Sequence, residues 1–196
     1  MNGYVKGRSY ADRERKCEVP ILDNWYVLDV RTGQELKIAE ALKQRLDSEL
    51  LFPFVPMFEN LFKRAGKVKK EIMPWFPGYL FVETALDESA FVEVFRNEIR
   101  YVKGVSHVVG YNGTSEIAVR EHEIEGILRL CNDDRCVEAS IGFKEGDSVY
   151  IASGALKGLE SLILEIDGHK RKARIATEFM GNMNENWVGF EYVEKM

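Results

Sequence analysis

The chain has 196 residues, 45% of them apolar and 30% charged, with a formal net charge of -5. That size supports one medium domain or two small ones with a real core. The acidic balance excludes blanket polyanion binding, so any nucleic-acid contact must come from local concentrations of Lys and Arg. No stretch approaches the roughly 18 to 20 apolar residues of a membrane helix. The N-terminus lacks the apolar run of a secretory signal, which predicts a cytoplasmic protein with no membrane partner. Cys17, Cys131 and Cys136 are an odd number without zinc-ribbon spacing, predicting neither a disulfide framework nor a metal site.

In chain order, residues 1–23 are polar and weakly basic without hydrophobic period, and read as an arm. "NWYVLDV" (24–30) reads as a strand. Apolar residues at Leu36, Ala39, Leu42 and Leu46 then repeat on one helical face. Thr32 followed by Glu35 fits a capping box. "LFPFVPMFE" (51–59) is a strand whose Pro53 and Pro56 place it at a sheet edge. Five cations, Lys63, Arg64, Lys67, Lys69 and Lys70, fall within eight positions before "GYLFVE" (78–83) resumes as a strand. The two strands and their connection predict a long hairpin with those cations at its tip. Phe91, Val94, Phe95 and Ile99 give a second helix, "GVSHVVGY" (104–111) a strand, and Ile124, Ile127, Leu128 and Cys131 a third helix. This is an α+β sandwich over 24–132, with an antiparallel sheet. "CNDDRCVEASIGF" breaks the periodicity and predicts a flexible linker over 133–141. Residues 142–196 hold short, closely spaced strands with a turn at Asp167-Gly168, a small SH3-like β-barrel.

His107, His122 and His169 are scattered and sit in no nucleophile or metal motif, and the chain has no phosphate-cradling glycine loop. The prediction is therefore of a protein that is not an enzyme and uses no cofactor. The aromatics around Pro77-Gly78 have two readings: a strand entering the core, or an apolar concave surface for a partner helix. The cations at 63–70 are either a solvated loop or a contact to a phosphate backbone. "HKRKAR" (169–174) puts Lys170, Lys172 and Arg174 on one face of a strand and Arg171 on the other. That pattern suits either phosphate contact or an edge protected against aggregation.

"NWYVLDVRTGQE", "PWFPGYLFVE", "VKGVSHVVGYNG" and "FKEGDSVYIASGALKGLESLI" occur in this order. Together they resemble the NusG family of transcription elongation factors, from Asn24 to the C-terminus. The resemblance implies an N-terminal domain that grips the clamp helices of RNA polymerase, and a C-terminal KOW domain of SH3-like form. Ser161 stands where housekeeping members usually carry a second glycine. "PWFPGYLFVE" with "GVSHVVGY" looks closer to specialised paralogues of the LoaP and RfaH kind, with a LoaP-like antiterminator favoured.

Carried onto this sequence, Phe76, Pro77, Gly78 and Tyr79 would line the clamp-helix pocket, with Trp25 and Phe54 as neighbours. Arg96 and Asn97 would touch the opposite jaw. Lys63, Arg64, Lys67, Lys69 and Lys70 would approach upstream DNA; from their own cationic run, Lys170, Arg171, Lys172 and Arg174 are expected to help bind a nascent RNA hairpin. A monomer that suppresses pausing and termination is the expected function. The alternative is a housekeeping factor coupling polymerase to Rho or, through ribosomal protein S10, to the ribosome.

Overall fold

The computed structural model describes residues 24–47, 49–145 and 148–193, so the arm expected over 1–23 lies outside the described residues. Its elements begin with β1 (Asn24–Val30), α1 (Glu35–Arg45), β2 (Leu51–Phe54), β3 (Met57–Arg64), β4 (Lys67–Pro74) and β5 (Tyr79–Thr84). They continue with α2 (Glu88–Asn97), β6 (Val105–Val108), α3 (Glu121–Leu130) and β7 (Cys136–Val137). The chain closes with β8 (Ser140–Glu145), β9 (Ser148–Ser153), β10 (Ile163–Asp167), β11 (Lys172–Phe179) and β12 (Asn182–Tyr192).

The first sheet runs β2-β5-β1-β6, so the proline-bearing strand is an edge, as its missing N–H donor dictates. Strand alternation divides the sheet into two apolar faces. Tyr26, Leu28, Val30, Leu80 and Val82 point to one side and are covered by α1 and α2 through Ile38, Leu42 and Phe91. Trp25, Val27, Phe54 and Phe81 belong to the opposite cluster, with α3 residues Ile124, Ile127 and Leu130. The apolar repeat of α1 is displaced from its expected face: Leu36 is 56% exposed, and Ile38 is buried in its place. The capping box is not formed either, because Gln34 is the N-cap without a side-chain bond. The Glu35 carboxylate is committed elsewhere: its Oε1 accepts from the Gly78 amide at 2.8 Å.

The basic stretch is itself folded into strands. β3 and β4 pair antiparallel from Met57↔Pro74 to Arg64↔Lys67, closing through Ala65-Gly66. Strand 51–59, expected to flank the loop, splits: β2 pairs with β5, and β3 turns away to form this ribbon. The hairpin turn has φ of 52° at Ala65 and 78° at Gly66, the two positive values of a type I′ turn. Glycine accepts that region freely and alanine does not. Ala65→Asn is expected to raise stability by about 0.5–1 kcal/mol, read as an upward shift of the urea midpoint with an unchanged denaturant slope.

The connection expected over 133–141 is pinned along its length. β7 pairs parallel with β3 (Met57↔Cys136, Phe58↔Val137), Arg135 bonds Glu83 at 2.6 Å, and the Ala139 amide donates to Glu59 at 2.8 Å. Burial raises the Cys131 thiol to about 12 and the Cys136 thiol to about 11. Thiolate is the reactive form. Native protein treated with iodoacetamide at about pH 8.5 is therefore expected to leave both unmodified by peptide mass spectrometry, with complete labelling after denaturation.

Strands β8 to β12 form a five-stranded sheet in the order β10-β11-β12-β8-β9, curled around Ile151, Leu156, Ala173, Ile175, Val188 and Phe190. The expected Asp167-Gly168 turn is a longer one: residues 168–171 separate β10 from β11, and Asp167 Oδ1 accepts from the Lys170 amide.

Candidate functional site

The aromatic surface is built by a single bend. In Phe76-Pro77-Gly78-Tyr79, the Tyr79 amide donates to the Phe76 carbonyl at 3.1 Å, and Gly78 has φ of 87°. Proline followed by a residue with positive φ is a type II turn. Gly78 is held from below by Glu35, and the Val30 amide donates to its carbonyl at 2.8 Å. The bend aims Phe76 over the second face of the sheet, 5.7 Å from Phe81 between ring centroids, while Trp25 lies 5.0 Å from Phe54 and 5.9 Å from Phe81. Phe76, Tyr79, Phe54 and Trp25 are thus brought together as one apolar face. Pro77 is exposed at its edge, whereas Gly78 is buried.

That face is covered by the barrel. β11 and β12 form its longest hairpin, and the tip of that hairpin, Phe179-Met180-Gly181, reaches onto the sheet. The Phe179 ring sits 4.7 Å from Phe76, 5.4 Å from Phe81 and 5.6 Å from Tyr79. Phe76 and Phe179 are each only 5% exposed and Trp25 2%. The pocket for a partner helix that these residues suggest is filled by the molecule's own side chain. Trp25 and Phe54 lie beneath the surface as its floor.

Polar contacts lock the same seam. Glu123 of α3 is buried, with Oε1 accepting from the Gly181 amide at 2.7 Å and Oε2 accepting from the Tyr111 hydroxyl. Burial, and then the Glu123 bond, push the Tyr111 hydroxyl well above the ordinary tyrosine range. His122 Nε2 stands 3.5 Å from Glu178 of β11. His122, Glu123 and Glu178 bring possible ligand atoms within 4.8 Å of one another, but both Glu123 oxygens are already spent on Tyr111 and Gly181. The group ties α3 to the barrel hairpin as an interface network. At the far end of the seam Gly189 of β12 lies against β3, where an added Cβ would meet the Glu59 carbonyl at 2.2 Å and the Ala139 Cβ at 2.9 Å.

Arg96 and Asn97 are exposed at the end of α2, on the other side of the sheet from this aromatic face. They are not brought together with it.

The two cationic groups differ. Lys63, Arg64, Lys67 and Lys69 are exposed along the β3–β4 ribbon with no ion pair among the described residues, while Lys70 is held by Glu59 at 2.6 Å. Register places Phe62, Arg64, Lys67 and Lys69 on one face of the ribbon and Lys63, Val68 and Lys70 on the other. On the barrel, the single strand face expected for 169–174 is not present: Lys170 and Arg171 belong to the turn, and only Lys172 and Arg174 to β11. Lys170 pairs with Asp167 at 3.1 Å, Arg171 with Glu191 at 2.7 Å, and Arg174 with Glu165 at 2.8 Å and with Glu185. The nearby Asp167 and the carboxylates of Glu165, Glu185 and Glu191 on neighbouring strands neutralise most of this patch. Sequence reasoning also missed Phe179 and Gly181, which carry the cover; a Met-Gly dipeptide between two strand-like runs was the available signal for an exposed hairpin tip.

These features define a class of protein, an α+β sandwich joined to an SH3-like barrel. The family model described as "Transcription termination factor nusG" matches residues 23–128, more than half of the chain, and the chain belongs to the NusG family. It is 28% identical over 181 residues to the transcription termination/antitermination protein NusG of Halalkalibacterium halodurans, covering 88% of this chain and 98% of the relative. It is 25% identical to the protein of that name from Borreliella burgdorferi, with the same coverage of 88% and 98%. The Thermus thermophilus counterpart is 26% identical, covering 87% and 97%. No helix among the described residues is long and apolar enough to cross a membrane.

Proposed function

We propose that this chain is a non-enzymatic antitermination factor that docks the face around Phe76 and Tyr79 onto the clamp helices of RNA polymerase. The factor is gated, since its barrel must leave that face before docking. The observation that carries this reading is the packing of Phe179 on Phe76, Tyr79 and Phe81: an apolar surface of this kind is stable in water only when something covers it. Docking works by differential binding. A factor that holds only the closed clamp biases polymerase away from paused states by its affinity difference, on the order of 1–3 kcal/mol. A gated factor suits a specialised role at particular operons, where recruitment has to accompany opening. A leader RNA hairpin is the proposed recruiter, and LoaP-like paralogues are the proposed subgroup.

The β3–β4 ribbon supplies the nucleic-acid contact in this reading, by reaching upstream DNA with its unpaired cations. Of the four cations at 170–174, Lys172 has no ion pair among the described residues and joins it, since Lys170, Arg171 and Arg174 are engaged by carboxylates. Replacing Lys63, Arg64, Lys67 and Lys69 by alanine is expected to weaken duplex DNA binding and to reduce the slope of log affinity against log salt by about 0.9 per lost phosphate contact. Fluorescence anisotropy across a salt series reads both quantities. An unchanged slope would remove the ribbon from the interface. The function itself is tested by in vitro transcription over a terminator preceded by cognate or exchanged leader sequences. Readthrough that follows the leader supports the reading, and transcripts unaffected by the factor refute it.

A further inference from the structure

Beside the covered face lies an open-sided cavity of about 370 Å³, lined by both halves of the molecule. One wall is aromatic, with Phe76 and Tyr79 from the sheet and Phe179 from the barrel; the other carries Asn182, Asn184 and Asn186 of β12. The three asparagines alternate along one strand and so share a face. Their amide groups are oriented by internal bonds. Asn182 Nδ2 donates to the Met180 carbonyl at 3.0 Å, and Asn184 Nδ2 donates to the Phe179 and Asn182 carbonyls at 3.3 and 2.9 Å. Asn186 Nδ2 bonds Thr177 Oγ1 at 2.9 Å. A carbonyl can only accept, so the first two amides commit their nitrogen to it and leave Oδ1 without a partner. Among the described residues none of the three Oδ1 atoms accepts a hydrogen bond.

Unpaired acceptors on one wall thus stand opposite an apolar aromatic wall. Positions two apart on a strand are separated by about 6.8 Å, close to the nitrogen-to-nitrogen reach of an extended four-carbon diamine. Its methylene chain would lie along the rings while each ammonium donates to an asparagine oxygen. An anion is less well served, because both N–H donors of the central Asn184 are already spent. A stacked base would need an open ring face, which Phe76 and Phe179 deny by packing on each other. We propose that this cavity is a binding site for an aliphatic polyamine. The inference concerns the covered form alone and stands apart from the polymerase reading.

The test is titration of the full-length protein with putrescine at physiological salt, followed by amide chemical shifts. A bis-quaternary diamine of the same chain length carries the same charge without N–H donors and controls for attraction to an acidic surface. Putrescine is expected to shift Gly110, Asn182, Asn184 and Asn186, and the quaternary analogue is not. Asn186→Asp adds a carboxylate to the wall while Thr177 can donate its hydroxyl in return, and is expected to tighten putrescine about tenfold. Equal responses to the two ligands, no shift in the cavity, or indifference to Asn186→Asp would each overturn the proposal.

Discussion

Phe179→Asp is expected to part the barrel from the sheet and to raise affinity for RNA polymerase. Phe179 contributes three aromatic contacts at the centre of the seam and is 5% exposed. Removing a buried Phe costs about 3–5 kcal/mol, and burying a carboxylate against three rings is more unfavourable still. On the gated reading proposed above, the competent form is a minority in the wild-type protein, so the apparent affinity is the intrinsic affinity reduced by the open fraction. Losing the cover should recover between tenfold and a hundredfold, for an open fraction of about 1–10%. Pull-down with purified polymerase measures the gain. NMR relaxation checks the cause, because two units freed from each other tumble faster than one body. Phe76→Ala in the same background is expected to abolish the gain, since the proposed docking face includes that ring. Strong polymerase binding by the Phe76→Ala, Phe179→Asp double variant would place the interface elsewhere.

Gly189→Ala should reach the same open form from the other end of the seam. Its Cβ would fall 2.2 Å from the Glu59 carbonyl, a backbone atom that cannot swing aside. Overpacking costs typically about 1–3 kcal/mol, and here retreat of the barrel relieves it. Gly189 pairs with Lys172 inside the barrel ladder, a position where alanine is compatible with the strand. The expected spectrum keeps the barrel resonances and loses the shifts that depend on the approach of Gly189 to Glu59 and Leu61 of β3, both within reach of an added Cβ. Polymerase affinity should rise as for Phe179→Asp. A folded variant in which the seam stays closed would show that the approach of β12 to β3 is not needed for the cover.

Much of the chain was legible as local pattern. The three helices follow from apolar repeats at Leu42, Phe91 and Ile127, the edge position of β2 from its proline, and the barrel from closely spaced short strands. Local chemistry misled where a side chain had a distant competitor. Glu35 left its own helix end because a buried Gly78 amide 43 residues away needed an acceptor. The cations at 170–174 looked free because their partners Glu165, Glu185 and Glu191 stand on adjacent strands, apart in sequence.

The sequence by itself determined that an aromatic cluster would surround Pro77-Gly78 and that the cations would concentrate on one ribbon, because a type II bend and strand alternation are set by neighbours in the chain. Only the tertiary structure decided that the cluster is covered. Whether an apolar face stays open or closed depends on what else in the molecule can bury it, and here that is a hairpin tip about a hundred residues downstream.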